Sequence, residues 1–271
     1  MSAISLYAKP SATFLQKLQA SKALLISAAA QYSPMTQASS LGVEDMVVTE
    51  LIAQTGIASS IFVLDTGMLH QQTLALISTL EQRYSVKVDV YQPDAALANQ
   101  FVAANGKDAM YKSVDLRKAC CDLRKMVPLE RALAGQKAWI TGLRREQSNT
   151  RADVHAIEPG QHNGVDRAKI NPLADWTTGD VWHFVASHNV PYNPLHDEFF
   201  PSIGCAPCTR AVTLGEDFRS GRWWWEQASA KECGLHADAG HAGQPANAAD
   251  AAQLPPAFES LSRINIREIP A

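Results

Sequence analysis

The amino-acid sequence predicts an α/β fold, in which helices pack on the faces of a parallel sheet. Short apolar runs such as 60–64 and 86–91 alternate with longer segments of helical periodicity such as 69–83, and this alternation is typical of βαβ units. The apolar runs end in small or polar residues, at the strand ends where such sheets bind ligands. With 271 residues, 46% of them hydrophobic, the chain is long enough for one large domain.

The elements are predicted in order along the chain. The spacing of Phe14, Leu15, Leu18 and Leu25 indicates a helix within 11–30. An extended segment then leads into residues 39–45. Further helices are predicted at 46–54, 69–83, 94–104, 110–133 and 178–188, the last capped by Thr177 or Thr178, and strands at 60–64, 86–91 and 137–141.

Two predicted turns lie where strands end and helices begin. Residues 39–45 read Ser-Ser-Leu-Gly-Val-Glu-Asp, and residues 65–67 read Asp-Thr-Gly. A strand, a turn of small residues and a helix direct backbone N–H groups and the positive end of the helix towards an anion. An ordinary βα turn has the same appearance. Because both turns fall at strand ends, however, we expect a nucleotide pocket there.

The cysteines give the clearest chemical signal. Cys120 and Cys121 are adjacent, Cys205 and Cys208 form a second pair, and Cys233 is the fifth. Four thiolates from two distant segments match the ligand count of a tetrahedral zinc site or of an iron–sulfur cluster. An odd number of cysteines argues against a disulfide framework, and reduced thiols suit the cytoplasm.

The spacing of the four paired thiols favours a [4Fe-4S] cluster. Zinc motifs normally leave two or more residues between paired ligands, whereas a cluster with irons on separate corners accommodates adjacent thiolates. A redox-active Cys-x-x-Cys pair would open a helix directly after a strand, but Cys205 follows the irregular stretch 200–204. A disulfide between Cys120 and Cys121 would strain the peptide. Nearby basic residues would offset the negative charge of a cluster.

Cys233 has different surroundings. It follows Lys231 and Glu232, precedes His236, and lies beside a stretch of low complexity. A cationic neighbourhood stabilises a thiolate and so creates a nucleophile. A lone surface cysteine has the same appearance in sequence, so both interpretations stand at this point.

Arginines cluster in two places. The loop after the strand at 137–141 contains Arg144, Arg145 and Arg151, and residues 218–226 combine Arg219 and Arg222 with three consecutive tryptophans. A solvated loop and packed aromatic residues are the plain interpretations. Arginines at the end of a strand also suit phosphate or sulfate recognition.

Bulk properties exclude several classes of protein. A formal charge of -3 and a pI near 6.2 argue against general binding to nucleic acid or anionic membranes. No apolar run reaches the roughly 18 residues of a membrane-spanning helix, so we expect a soluble, cytoplasmic protein. Residues 237–256 are dominated by Ala, Gly, Asp, Asn, Gln and Pro, which predicts one domain at 1–236 and a flexible tail at 237–271.

Taken together, these segments resemble a known family. They read, in order, Ser39-x-x-Gly42-x-Glu44-Asp45, Leu64-Asp65-Thr66-Gly67, Cys120-Cys121, the arginine loop 144–151, Cys205-x-x-Cys208, Gly-Arg-Trp-Trp-Trp-Glu at 221–226 and Lys-Glu-Cys-Gly-Leu-His at 231–236. This pattern closely resembles the assimilatory adenylyl-sulfate reductases, the cluster-containing branch of the phosphoadenylyl-sulfate reductase family.

The resemblance implies a Rossmann-like α/β fold of the adenine nucleotide alpha hydrolase or ATP pyrophosphatase type. It implies thioredoxin-dependent reduction of adenylyl sulfate to sulfite and AMP, in sulfate assimilation and cysteine biosynthesis, with Cys233 attacking the sulfate sulfur. The cluster ligands would be Cys120, Cys121, Cys205 and Cys208. The substrate would be bound by Ser39, Gly42, Asp45, Asp65, Thr66, Gly67, Lys125, Arg144, Arg145, Arg151, Arg219, Arg222 and His236.

Some features depart from the family pattern or leave alternatives. Leu41 stands where relatives often carry Ser, and the tail is longer than the family needs. The same chemistry on 3'-phosphoadenylyl sulfate, or dual specificity, is one alternative. An ATP-dependent thiolation enzyme is another, although its loop would read Ser-Gly-Gly-x-Asp-Ser. A non-enzymatic iron–sulfur or zinc protein is the third. The oligomeric state is left open, a homo-oligomer being one possibility.

Overall fold

A mixed sheet organises the chain. The computed structural model describes residues 2–148, 151–162 and 165–226, and within these the strands lie in the order β3-β2-β1-β4-β6-β5. All neighbours run parallel except β5, which pairs antiparallel with β6. The strands are β1 Met35–Ser39, β2 Ser60–Leu64, β3 Val88–Tyr91, β4 Ala138–Ile140, β5 Ile157–His162 and β6 Val165–Ile170.

Helices connect the strands and cover both faces of the sheet. They are α1 Ala3–Tyr7, α2 Phe14–Tyr32, α3 Val43–Thr55, α4 Gln71–Tyr84, α5 Ala95–Asn105, α6 Ala109–Lys112, α7 Val114–Cys121, α8 Val127–Ala132 and α9 Thr178–His188. Within the described ranges, no helix is both long enough and apolar enough to cross a membrane. The α/β fold with a predominantly parallel sheet is therefore confirmed.

The two faces of the sheet carry separate cores because strand side chains alternate between faces. On β2, Val63 packs with the core that includes Leu25 of α2 and Leu51 of α3. Its neighbour Phe62 packs on the opposite face with Leu129 of α8. Burial of both faces explains why β2 reads as a continuous apolar run rather than as an alternating one.

The helix predicted at 178–188 is confirmed together with its cap. The Oγ1 atom of Thr177 accepts a hydrogen bond from the N–H of Asp180 at 3.0 Å, and the Asp180 carboxylate accepts one from the N–H of Thr177 at 3.0 Å. This reciprocal arrangement is a capping box, which satisfies two of the N–H groups that a helix start leaves without partners. The cap fixes the start of α9 as the sequence predicts.

The continuous helix predicted at 110–133 is wrong in detail. Helix α7 runs into a π-helical turn at Asp122–Met126, which is followed by α8. A π turn bonds residues five apart and is found mainly as a local bulge, often at functional sites. Apolar periodicity does not reveal it because the chain continues in the same direction on both sides. The bulge lies between Cys121 and the start of α8.

The hairpin of β5 and β6 was not predicted. Pro159 and Gly160 lie within β5, and both residues weaken a strand signal. They are tolerated because β5 is the outer strand of the sheet, where a missing N–H donor faces no further strand.

Candidate active site

A cavity of about 1160 Å³ opens at the carboxyl ends of the parallel strands. Its walls come from the sheet-edge loops, residues 40–42 and 141–148, and from a distal wall, residues 201–204 and 217–223. The volume is sufficient for a nucleotide-sized ligand. The predicted substrate residues that line it are Ser39, Gly42, Asp45, Lys125, Arg144, Arg145, Arg151, Arg219 and Arg222.

The first sheet-edge loop is held in a left-handed turn by its own side chains. Leu41 has a φ angle of 60° and is fully buried, a backbone conformation that costs a non-glycine residue about 1 kcal/mol or more. The Oγ atom of Ser39 accepts a hydrogen bond from the N–H of Leu41 at 3.2 Å. Gly42 then caps α3. Leu41 thus contributes packing under the loop, where a serine hydroxyl was expected from the family pattern.

Asp45 connects the two sheet-edge loops. Its carboxylate accepts hydrogen bonds from the N–H and Oγ of Ser40, at 2.7 and 2.6 Å, and from the N–H of Gly142 at 3.0 Å. Burial raises the pKa of Asp45 to about 6, although the hydrogen bonds from Ser40 and Gly142 act in the opposite direction. A Cβ atom on Gly142 would lie 2.6 Å from the Asp45 carboxylate. Glycine is therefore required for this close approach.

Arg144 and Glu44 form a buried ion pair across the same loops. Nη2 of Arg144 lies 2.8 Å from Oε1 of Glu44, and only 4% of the arginine side chain is exposed. Nη1 of Arg144 also donates to the carbonyl of Trp176 at 3.2 Å. Burial alone would raise the pKa of Glu44, but the Arg144 charge and the hydrogen bonds from Gln147 and Arg144 outweigh it and lower the pKa.

The other arginines of the loop and of the distal wall have described partners. Arg145 forms an ion pair with Asp175, and Nη1 of Arg151 donates to Oε1 of Gln147 at 2.6 Å. The backbone N–H of Arg219 donates to Asp217 at 2.8 Å. All three residues line the cavity.

Arg222 on the distal wall has surroundings of another kind. It is 8% exposed, and its guanidinium carbon lies 4.6 Å from the centre of the Trp223 ring. A Cβ atom on Gly204 would overlap Nη2 of Arg222, so the guanidinium lies directly against the glycine backbone. Nη1 donates to the carbonyl of Ile203 at 3.3 Å. Among the described residues, no carboxylate lies within ion-pair distance of Arg222.

The turn at residues 65–67 orders itself and faces the cysteines. The Asp65 carboxylate accepts hydrogen bonds from the N–H of Gly67 at 2.9 Å and from Nε2 of Gln92 at 2.8 Å. Oγ1 of Thr66 lies 3.2 Å from Sγ of Cys205. Nη1 of Arg124 donates to the carbonyl of Thr66 at 2.7 Å. The turn therefore connects the end of β2 to both cysteine segments.

The structure brings the two cysteine pairs together. Cys121, Cys205 and Cys208 share one buried cluster with Met110 and Trp223. Burial is the main reason why the pKa of Cys208 is raised to about 12 and that of Cys120 is also raised. Cys205 contributes to both increases, and Cys120 contributes to that of Cys208. None of these four cysteines forms a disulfide within the described part of the chain.

The charges around the four cysteines suit an iron–sulfur cluster, although the thiols are not themselves arranged around a metal position in this structure. The charges of Arg124 and Lys125 act on Cys120, and those of Arg222 and Lys125 act on Cys208. Such cations offset the negative charge of a cluster, and hydrogen bonds to the cluster sulfurs adjust its reduction potential. Nε1 of Trp223 is buried without a hydrogen-bond partner in the part of the chain that is described, and it is available as a donor. No three His, Cys, Asp or Glu side chains of the described residues are arranged to hold a metal ion.

Lys125 links the cavity to the cysteines. It lies in the π turn, lines the cavity, and acts electrostatically on Cys120 and Cys208. The sequence predicted this residue as the closest substrate contact of the cysteine region. Cys233 and His236, by contrast, lie outside the described residues, as does the predicted tail at 237–271.

One residue of the cavity wall was missed. His196 lies in a 3-10 turn at Pro194–Glu198, with its ring edge-on to Trp182 at 5.2 Å between ring centres. Burial lowers the pKa of His196 to about 4, so the ring is neutral at neutral pH. The turn is irregular, and its sequence shows no periodicity that would have drawn attention to it.

Comparison with known proteins identifies the family. Adenosine 5'-phosphosulfate reductase of Allochromatium vinosum is 55% identical over 199 residues, which are 73% of this chain and 77% of the relative. The enzyme of the same name from Burkholderia cepacia is 48% identical over 81% of this chain and 87% of its own length.

Solved structures are similar to this chain as well. Phosphoadenylyl-sulfate reductase from Candida auris, in a phosphate complex, has a TM-score of 0.60 at 26% identity, covering 71% of this chain and 90% of that one. FMN adenylyltransferase from Candida glabrata shares the fold, with a TM-score of 0.54 at 15% identity, over 82% of this chain and 77% of its own. The profile of the phosphoadenosine phosphosulfate reductase domain matches residues 34–211, and the chain therefore belongs to that family.

Proposed function

We propose that this chain reduces adenylyl sulfate to sulfite and AMP, with thioredoxin as the electron donor. One observation carries the proposal: a nucleotide-sized cavity at the sheet edge connects through Lys125 to four neighbouring cysteines that form no disulfide among the described residues. The relatives at 48–55% identity are named as adenosine 5'-phosphosulfate reductases. The setting we propose is sulfate assimilation in the cytoplasm, where thiols stay reduced.

In the proposed reaction, the Cys233 thiolate attacks the sulfur of the sulfate group and displaces AMP. The product is an S-sulfonate on Cys233. A thioredoxin thiolate then attacks the Cys233 sulfur, releases sulfite and forms a mixed disulfide, which the second thioredoxin thiol resolves. Thioredoxin thus supplies the two electrons that reduce the sulfur, and Cys233 returns to its starting state.

The described residues bind and orient the substrate in this scheme. AMP leaves well only if cations neutralise its developing charge, and Lys125 and Arg222 bring positive charge to the cavity wall. The Glu44–Arg144 pair and Asp45 hold the sheet-edge loops in shape. Cys120, Cys121, Cys205 and Cys208 would hold a [4Fe-4S] cluster, which supplies a fixed group of charges beside the pocket. The domain in this proposal comprises residues 1–236, and residues 237–271 would form a flexible tail.

The decisive experiment measures sulfite release from adenylyl sulfate by anaerobically purified protein with thioredoxin. Iron and acid-labile sulfide analysis, together with the visible spectrum, distinguishes a cluster from zinc. In a second assay, protein without reductant is incubated with substrate labelled in its sulfate group. Wild type should retain label, and Cys233→Ser should not. Label captured by the serine variant would contradict the assignment of the nucleophile.

A second candidate is reduction of 3'-phosphoadenylyl sulfate, alone or with dual specificity. The matched family profile and the Candida auris structure carry the name of that activity. Comparison of kcat/KM for the two substrates on the same preparation decides between them. We expect adenylyl sulfate to be preferred, because the Allochromatium and Burkholderia relatives, at 55% and 48% identity, are named for it.

A further inference from the structure

A buried ion pair joins the first cysteine pair to the end of the described chain. Arg117 of α7 donates from Nε and Nη2 to the two carboxylate oxygens of Glu226, at 2.9 and 2.8 Å. The side chains are 1% and 3% exposed. A bidentate pair in this geometry fixes both partners in orientation as well as in position.

The same guanidinium has two more contacts. Its central carbon lies 4.7 Å from the centre of the Trp223 ring, and Arg117 shares a hydrogen bond with the thiol of Cys121. Trp223 is connected in turn to the second cysteine pair, because its backbone N–H donates to the carbonyl of Cys208 at 3.2 Å. Arg117 therefore touches a residue of the first pair and the segment that follows the second.

The charge of this arginine has a different effect from that of Lys125. Arg117 is matched by Glu226 at short range, so the pair adds little net charge to the cysteine region. A buried ion pair is weak evidence for stability, because desolvation offsets much of the attraction. A better-supported role of a buried ion pair is to favour one arrangement of the chain over the alternatives. Here it selects the position of Glu226, which lies seven residues before Cys233 in the sequence.

We propose that Arg117 is a positioning residue that couples the cluster-holding cysteines to the chain segment leading to Cys233. This inference rests on the proposed function in its use of the cluster and of Cys233. Arg117 donates to both Cys121 and Glu226, so occupancy of the cluster and order of the segment stabilise each other. Such coupling is reciprocal: whatever loosens one end loosens the other.

The test uses Glu226→Gln, which keeps the size of the side chain and removes its charge. Glu216→Gln is the matched control, because Glu216 pairs with Arg210 at 2.8 Å in the same region but is only partly buried. Two rates are measured on anaerobic protein that contains its cluster. The first is chymotryptic cleavage after Trp223, Trp224 or Trp225, located by mass spectrometry. The second is alkylation of Cys233 by N-ethylmaleimide.

We expect Glu226→Gln to raise both rates about tenfold or more, since removal of one partner from a buried pair leaves the other uncompensated. Glu216→Gln should match wild type. Removal of the cluster from wild type with a chelator should raise the same two rates, and should add little in Glu226→Gln. Equal rates in wild type and Glu226→Gln would overturn the inference, as would an unchanged wild type after cluster removal.

The double variant Arg117→Met/Glu226→Met decides the question if Glu226→Gln does not fold. Replacing both members of a buried pair by apolar groups is often tolerated, but it also removes the hydrogen bond to Cys121. Faster loss of iron to a chelator than in wild type, at equal stability of the fold, supports coupling. Equal loss of iron overturns it. Neither readout requires turnover, and the labelling of Cys233 by substrate reports separately on the proposed function.

Discussion

The sheet-edge loops and the distal wall both bring arginines to the cavity, but they surround them differently. In the loops, Arg144 is buried against Glu44 at 2.8 Å and also donates to a backbone carbonyl. On the distal wall, Arg222 is buried to a similar degree but lies on Trp223 and Gly204, with no carboxylate in ion-pair distance among the described residues.

The difference indicates that Arg144 maintains the shape of the loops, whereas Arg222 is available to bind an anion. The charge of a paired, buried arginine is already neutralised, so such an arginine serves to hold two loops together. A buried cation without a carboxylate lowers the stability of the fold, and a protein keeps such a cation where it binds an anion. The positive charge that a phosphosulfate would meet therefore comes more from the distal wall than the sequence predicts. The following substitutions test this contrast.

The largest effect is expected for Arg144→Met. The variant leaves Glu44 buried without its partner, and loss of one member of a buried pair costs about 3–5 kcal/mol of the free energy of unfolding. Arg145→Met is the control, because its pair with Asp175 is exposed and such pairs contribute about 0–1 kcal/mol. Denaturant unfolding under anaerobic conditions measures both. Equal losses in the two variants would show that the buried pair does not hold the loops.

The next effect concerns Asp45 and pH. Its folded pKa of about 6 lies above the ordinary value of 3.8, so the folded state holds the proton more tightly than the unfolded chain does. The resulting stabilisation, roughly 3 kcal/mol, is complete below pH 3.8 and is lost as pH rises through about 6.

Asp45→Asn removes this titration. Between pH 4 and pH 7, the free energy of unfolding of wild type should therefore fall relative to that of the variant. Glu44 titrates in both proteins, and because its charge acts on Asp45 its contribution cancels only in part. Parallel pH profiles for the two proteins would contradict a buried Asp45 carboxylate.

The smallest effect on stability is expected for Arg222→Met, which should instead weaken substrate binding. The free energy of unfolding should change by less than about 1 kcal/mol, because no carboxylate among the described residues pairs with Arg222 and burial of a charge is unfavourable in itself. Affinity for adenylyl sulfate should weaken by about 2 kcal/mol, roughly thirtyfold, through loss of a charge-assisted hydrogen bond. Arg210→Met is the control. If Arg222→Met were as unstable as Arg144→Met, the contrast between the two walls would disappear.

Apolar runs and turn chemistry were enough to predict strands β2, β3 and β4 and the cavity edge, because the alternation of apolar runs with helical periodicity and the glycines at strand ends are local signals. The convergence of Cys120 and Cys121 with Cys205 and Cys208 was also predicted, from ligand count and from the resemblance. Local signals do not show which arginines are neutralised. Arg144 and Arg222 look alike in sequence, and only the fold places Glu44 beside one and Gly204 beneath the other.

Gly204 has a consequence for how this cavity can change. The φ angle of Gly204 is not positive, so glycine is required here for space rather than for backbone conformation. A methyl group there would overlap the guanidinium of Arg222. A single Gly204→Ala substitution would therefore move a positive charge without removing it. The absence of a side chain at position 204 therefore fixes where the Arg222 guanidinium lies. A methyl group there would change which substrate the cavity prefers while the net charge stayed the same.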